Sequence, residues 1–396
     1  MRVIHTSDWH LGRIFHRVHL TDDQSYVLDQ FVDLVRDERP DAVIIAGDIY
    51  DRSVPPVEAV QLLDETLSRL TLGLKVPTLM IAGNHDSPHR LNFGTRLLAR
   101  QGLHVVGLPS AEASFASCTV ELRDSDGPVR FVLMPYAEPA VIRDRLGVAD
   151  AVDHESAMRA LVCAAMGGSE EGAEPCSTGG VRTVAIAHAF IAGGSVSESE
   201  RPLSVGGTGA VSLSHFSRFN YTALGHLHRP QTLGGGRARY AGSLMKYSFD
   251  EADQRKSVTI VDLSSEGLPI VREVALTPRR DVRRVRGMFD DILRGPTGGE
   301  SREDYISVTL LDTGQVHEPM ARLREVYPSI LEIGREEFGV QQGVSGIGLR
   351  HKEMTELELF AAFFEETTGT PLTEEQERAF ITVLEAAEAR REVALA

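Results

Sequence analysis

Apolar and polar positions along the first hundred residues fall into blocks whose period changes. Val3–Thr6, Ala42–Ala46 and Thr78–Ala82 are short apolar runs, and runs of this length predict buried strands. Between the first two, Asp22–Glu38 repeats apolar residues at Val27, Leu28, Phe31, Val32, Leu34 and Val35, a helical period that Pro40-Asp41 stops. After Pro55-Pro56 a second helix is predicted to about Leu70, with Val60, Leu63, Leu67 and Leu70 on one stripe, and a third over about Pro88–Arg100. Alternating strands and helices predict an α/β sheet with helices on its faces.

From about Leu103 the pattern changes. Short β-like runs at His104–Val106, Cys118–Leu122 and Val129–Met134 are separated by Gly, Pro, Ser and Asp, which predicts antiparallel pairs. A helix is predicted over His154–Ala165, followed by Gly167–Pro175, a flexible insertion with nothing to bury. Strands resume at Thr183, Tyr221 and Ser257–Val261, while Gly193-Gly194, Gly206-Gly207 and Gly234–Gly236 read as turns. Past Pro278, Arg279, Arg280, Arg283, Arg284 and Arg286 crowd one run, which suits either contact with phosphates or an ordinary charged face. A strand over Tyr305–Leu311, a helix over Glu318–Val326 and a strand over Ile330–Ile333 make a small α+β module. The glycine-rich linker Gly339–Gly348 separates it from a helix over Thr355–Glu366 and a last helix opening at Thr373-Glu374-Glu375-Gln376.

Length and charge narrow the class. A chain of 396 residues has room for two or three domains, and a net charge of −16 argues against coating nucleic acid through a bulk positive field, though not against a local basic groove or a basic partner. Cys118, Cys163 and Cys176 match neither a zinc pattern nor a disulfide framework. With no secretory h-region and no long apolar run, the expectation is a soluble cytoplasmic protein without membrane partners.

The chemistry gathers at strand ends. Asp8-Trp9-His10, Gly47-Asp48-Ile49-Tyr50-Asp51, Gly83-Asn84-His85-Asp86, His188 and Gly225-His226-Leu227-His228 each follow a predicted strand, the edge where open α/β folds place their ligands. Two divalent cations a few ångströms apart need a carboxylate that reaches both, and Asp48 suits that bridge with its two oxygens. Asp8 and His10, like His226 and His228, alternate along an extended segment and so point to one side. Asn84 offers a carbonyl oxygen and His188 an imidazole. His5, within the first strand, reads as a satisfied core residue. His16, His19 and His89 flank the cleft as substrate contacts or solvated loop residues.

These blocks resemble the signature of the calcineurin-like metallophosphoesterases. His5–Gly12, Asp48–Asp51 with Pro55-Pro56, Gly83–Ser87, and the tail residues Phe360–Glu366, Gly369, Pro371-Leu372 and Glu374–Gln376 resemble one branch, the SbcD family of nuclease subunits. The resemblance is weakest across 167–180 and 279–340. It implies a two-sheet α/β metallophosphoesterase sandwich flanked by helices over 1–275, a small α+β capping, DNA-binding domain over 276–340, and C-terminal helices over 349–396 that dock a coiled-coil ATPase of the SbcC type. It further implies two metals, manganese or else magnesium. Asp8, His10, Asp48 and His228 would surround one, and Asp48, Asn84, His188 and His226 the other. A metal-bridging hydroxide would attack phosphorus, with His85 as general acid, Asp86 holding its ring and Asp51 outside the ligand shell. Such a chain would be a homodimer within a heterotetramer at the nucleoid, cutting DNA in repair, replication and recombination.

Two other classes fit parts of the pattern. A small-substrate phosphodiesterase would share the metals but not need the final helices, and a binding module without catalysis would not need His85. No Gly-x-x-x-x-Gly-Lys-Ser/Thr segment occurs, so ATP dependence would come from a partner.

Overall fold

In the computed structural model the described residues are 1–109, 118–166, 181–201, 203, 209–336 and 355–395; the expected insertion Gly167–Pro175, Gly206-Gly207, Cys176 and the linker Gly339–Gly348 lie outside them. Residues Met1–Arg335 form one compact unit and Glu336–Ala396 another.

Two six-stranded sheets make the larger part of the first unit. One runs Pro269–Ala275, Ser257–Leu263, Arg2–Thr6, Ala42–Ala46, Thr78–Ile81, Leu103–Val106 in spatial order, its last four strands parallel. The other runs Gln231–Leu233, Ala238–Tyr240, Tyr221–Gly225, Arg182–His188, Gly127–Met134, Thr119–Asp124, with its four central strands parallel. Alternate residues on a strand face opposite ways, which sorts the core into layers. Val3, Ala42, Ile44, Ala46, Leu79 and Ile81 pack with Phe131, Leu133 and Ile186 of the second sheet. Ile4, Val43, Ile45 and Met80 turn the other way, onto Val27, Leu28 and Phe31 of helix Thr21–Glu38 and Leu63 and Leu67 of helix Val57–Ser68. Ala157, Met158 and Leu161 of helix His154–Ala165 join the first of these cores.

Two expectations are corrected. Leu103–Val106 joins the first sheet in parallel, and only Thr119–Asp124 with Gly127–Met134 makes the antiparallel pair expected of this region. A short apolar run identifies a strand but not its partner. The helix expected over Pro88–Arg100 is two short turns, Pro88–Leu91 and Thr95–Leu98, because Gly94 between them is left-handed (φ 71°). Helix Pro139–Leu146, which opens on its proline, was not anticipated.

The small module contains three parallel strands, Val282–Gly287, Tyr305–Leu310 and Ile330–Arg335, with helices Phe289–Leu293 and Pro319–Val326. It has its own core of Phe289, Ile306, Val308, Leu323 and Tyr327. Much of the arginine run is therefore a strand with partners inside the chain. Arg280 donates to buried Asp23 at 2.9 Å, and Arg283 pairs with Asp304 at 2.7 Å and Glu300 at 3.0 Å.

In the second unit, Thr355 caps helix Glu356–Thr368 through a reciprocal bond with Glu358, and Gly369 (φ 70°) ends it. Phe360 stacks on Phe380 of helix Glu374–Leu395 with ring centroids 3.9 Å apart. Among the described residues no helix is long and apolar enough to cross a membrane.

Candidate metal centre

Five strands stop at one place. Arg2–Thr6, Ala42–Ala46 and Thr78–Ile81 end beside Arg182–His188 and Tyr221–Gly225, with Gly225 in register with His188. Glycine makes the crowding possible. A Cβ on Gly83 would collide with the Asp48 carboxylate and N–H, one on Gly47 with the His188 ring, and one on Gly225 with the Ala46 carbonyl. The chain then turns sharply: Asp8 (φ 53°), His10 (φ 45°), Asp48 (φ 49°) and His226 (φ 112°) all hold positive φ. Each such non-glycine residue costs about 1–3 kcal/mol, and their concentration here marks a functional site.

Buried braces keep the turns in place. Asp8 N–H bonds Gly47 O at 3.0 Å and His10 N–H bonds Asp48 O at 3.0 Å. The Gln24 amide donates to His10 O at 2.8 Å and Trp9 O at 3.1 Å, and Tyr247 O–H donates to Trp9 O at 2.5 Å. Asp8 accepts from Ser7 O–H at 2.5 Å and from His226 N–H at 3.0 Å.

All seven expected ligands come together. His10 Nε2 lies 3.0 Å from His228 Nε2, and Asp8 completes one group of facing donors. Asp48, His188 and His226 form a second, with Asn84 Oδ1 2.9 Å from His188 Nε2 and 3.2 Å from His226 Nδ1. Asp48 stands between them: its Oδ2 is 3.6 Å from His10 Nε2 and 3.5 Å from His188 Nε2. One oxygen thus faces both groups, where the sequence suggested one oxygen each, because Oδ1 is taken by the His85 N–H at 2.9 Å. His10, Asp51 and His85 also cluster, but Arg13 already pairs with Asp51 at 2.9 Å, which leaves that carboxylate little charge to offer a cation.

The donor set fits a pair of divalent cations. Burial pushes His226 down to about 3 and holds His10, His188 and His228 below the ordinary imidazole range, so their rings are neutral at pH 7, the form in which an imidazole can bind a cation. Burial and then the neighbouring Asp48 carboxylate push Asp8 upward, a repulsion that a shared cation relieves. Burial also pushes Asp48 upward, but His188, His85 and the His85 N–H outweigh it and hold the carboxylate below its usual value.

His85 is buried at the edge of this cluster, with Nε2 4.0 Å from Asp48 Oδ2 and Nδ1 donating to the Asp51 carbonyl at 2.8 Å. The expectation that Asp86 holds the His85 ring is corrected here. The Asp86 carboxylate instead accepts from the N–H groups of Gly83 (2.8 Å), Tyr50 (2.9 Å) and Ile49 (3.1 Å), stapling two strand-end loops together. His5 is buried between Tyr221 O–H (3.0 Å) and Leu224 O (3.2 Å). His16 meets Glu332 at 3.7 Å, and His19 and His89 are exposed. The braces Gln24 and Tyr247, and the side chains of Ser199, Glu200, Glu251 and Lys256 that bond to His228, carry no motif, and only a buried amide or charge in an apolar setting could have flagged them.

Comparison with known proteins adds five findings. The calcineurin-like phosphoesterase family matches residues 1–122, and the family described as the type 5 capsule protein repressor C-terminal domain matches residues 278–368. The chain is 30% identical over 381 residues to the SbcD subunit of the nuclease SbcCD of Staphylococcus epidermidis (strain ATCC 12228 / FDA PCI 1200), covering 95% of this chain and 96% of that one. Among solved structures, TT1561 of Thermus thermophilus is similar at 13% identity and a TM-score of 0.39, covering 70% of this chain and 99% of that one. A dimetal phosphatase from Danio rerio is similar at 12% identity and a TM-score of 0.36, with the same coverage of 70% and 99%.

Proposed function

The chain belongs to the SbcD family of calcineurin-like phosphoesterases, a hydrolase of phosphodiester bonds, and we propose that it is a manganese-dependent DNA nuclease subunit. The observation that carries the two-metal reading is the place of Asp48 Oδ2, within 3.6 Å of His10 Nε2 and 3.5 Å of His188 Nε2. Asp8, His10, Asp48 and His228 would hold one cation, and Asp48, Asn84, His188 and His226 the other. Manganese is the proposed ion because mixed imidazole and carboxylate shells suit it better than magnesium, which prefers all-oxygen octahedra. When bound, the two cations acidify an attacking water and neutralise charge on the phosphoryl oxygens.

The chain's own residues do the rest. His85, in its protonated form, turns Nε2 toward the site and hands that proton to the leaving sugar oxygen. The Asp51 carbonyl fixes its ring, and Asp86 keeps the loops of Asn84 and Asp48 in contact.

The proposed substrate is DNA, cut from duplex ends and internally in single strands and hairpins, in end processing, replication, recombination and repair. The segments 1–275, 276–340 and 349–396 would act as nuclease domain, capping domain and docking site for an SbcC-type ATPase. Phe93 (86% exposed) and Leu97 (71% exposed), four residues apart in the chain, support a homodimer within the complex, since large apolar side chains left on a surface suit a partner. Work on chromosomal DNA would place the chain in the cytoplasm at the nucleoid. The test is the purified chain with manganese on labelled single-stranded, duplex and hairpin DNA. Chelator-sensitive cleavage is expected, whereas hydrolysis of small phosphodiesters alone would overturn the DNA reading.

A further inference from the structure

Every polar atom of His228 but one is tied down by three other segments of the chain. Its N–H donates to Glu200 Oε1 at 2.6 Å. Its carbonyl oxygen accepts from Lys256 Nζ at 2.8 Å and from the Ser243 N–H at 3.1 Å. Its Nδ1 meets Ser199 Oγ at 2.5 Å and Glu251 Oε1 at 3.3 Å. Only Nε2 is turned elsewhere, toward His10. Behind this arrangement Ser199 donates to Glu251 Oε1, and Glu251 Oε2 pairs with Lys256 Nζ at 2.5 Å.

The ion pair is wholly inside the protein, its side chains 0% and 4% exposed. A buried pair of this kind is a weak source of stability, because apolar residues of the same volume commonly serve as well. Both members of the pair also contact His228, from two sides: Glu251 Oε1 at Nδ1, and Lys256 Nζ, which it shares with Gln254 Oε1 at 2.8 Å, at the carbonyl oxygen. The hydroxyl between Glu251 and the ring explains why the charge matters. A serine can give or accept a hydrogen bond, so Ser199 alone would not decide which imidazole nitrogen carries the proton. A carboxylate only accepts. With its O–H committed to Glu251, Ser199 presents only lone pairs to Nδ1, and the proton of His228 must sit there. His188 solves the same problem more simply, with Nδ1 donating to the Ala46 carbonyl at 2.9 Å.

We propose that Ser199, Glu251 and Lys256 are positioning residues that lock His228 in its Nδ1–H tautomer and so keep Nε2 free to bind a divalent cation beside Asp8 and His10. This rests on the two-metal reading above. It leads to an unequal pair of variants. In Glu251→Gln the amide oxygen turns to Lys256, which only donates, and the NH2 turns to Ser199. Ser199 then accepts from the amide and donates to Nδ1, which moves the His228 proton to Nε2 and blocks the ligand atom. In Ser199→Ala, Glu251 still accepts from Nδ1 directly, so the tautomer survives.

The experiment uses the full chain with 15N-labelled histidine to read tautomers in the metal-free protein, and calorimetric titration with Mn2+ to read both affinities. Wild type and S199A are expected to show the Nδ1–H form of His228, with S199A binding within about 10-fold of wild type. E251Q is expected to show the Nε2–H form and to lose about 10–100-fold at one of its two ions while keeping the other, the usual scale for a lost support of a metal-binding histidine. The double variant E251Q/K256M avoids a lone buried ammonium and is expected to fold and to weaken the same single site. An unchanged tautomer in E251Q, or normal Mn2+ affinity at both sites in E251Q and in the double variant, overturns the proposal. A wild-type chain that binds fewer than two ions while the tautomers behave as stated would fault the two-metal reading and leave the proton assignment standing.

Discussion

His85 gives its Nδ1–H to the carbonyl oxygen of Asp51 at 2.8 Å, which turns its Nε2 toward Asp48 Oδ2, 4.0 Å away. The ring is thus fixed by backbone and stands beside the ligand groups without completing either. Its removal should spare metal binding and cost chemistry.

His85→Ala is therefore expected to bind manganese as wild type does and to lose about 100-fold or more in turnover on DNA, the scale of a lost general acid. A phosphodiester with a good leaving group needs little protonation and should suffer much less. Equal losses on the two substrates would remove His85 from that role.

Gly83 lies against Asp48 so closely that any Cβ would strike the carboxylate and its backbone N–H. Gly83→Ala is expected to displace Asp48, lower metal occupancy and cost about 1–3 kcal/mol, as overpacking does. Gly73→Ala, whose Cβ would meet nothing nearer than 3.9 Å, is the control. Full occupancy in Gly83→Ala, measured by elemental analysis, would contradict this account of the glycine.

Much of this centre was legible because its parts are local. Gly47-Asp48, Gly83-Asn84 and Gly225-His226 are each a strand end followed by a tight approach, and both features are carried by adjacent residues. The braces were not legible, since Ser199, Glu251 and Lys256 converge on His228 from loops with no spacing in common. The hold on His85 was misassigned to Asp86 because a side chain next in sequence looks near, while the actual partner is a backbone carbonyl 34 residues away. The pairing of Leu103–Val106 was lost for a similar reason: apolar content identifies burial, and register is set by distant strands.

Acid stability gives an independent check on the core. Burial, and then the charge of Arg239, pushes His5 down to about 3, against about 6.5 in an unfolded chain. Between those values the unfolded state holds a proton that the folded state refuses, so stability present above pH 6.5 is lost as pH falls. This residue should contribute a slope of up to about 1.4 kcal/mol per pH unit in that window. Urea midpoints of the metal-free protein should fall less steeply for His5→Gln than for wild type, and parallel curves would show that His5 does not titrate in this way.

The tail makes a prediction about assembly. Its first helix leaves Phe363 63% exposed while Phe360 is covered by Phe380. A chain ending at Gly348 is expected to remain a folded, manganese-dependent nuclease on single strands. It should fail to co-purify with the ATPase and lose ATP-stimulated cutting of duplex ends. Undiminished complex formation would make the tail a matter of local packing.

The central claim is that one carboxylate serves two cations, and counting bound metal in Asp48→Ala tests it most directly. With elemental analysis of folded protein after removal of free ions, wild type should retain two manganese ions per chain and His10→Ala about one, with Asp48→Ala disturbed at both positions and retaining fewer than one. An Asp48→Ala protein that keeps two tightly bound ions would contradict the account.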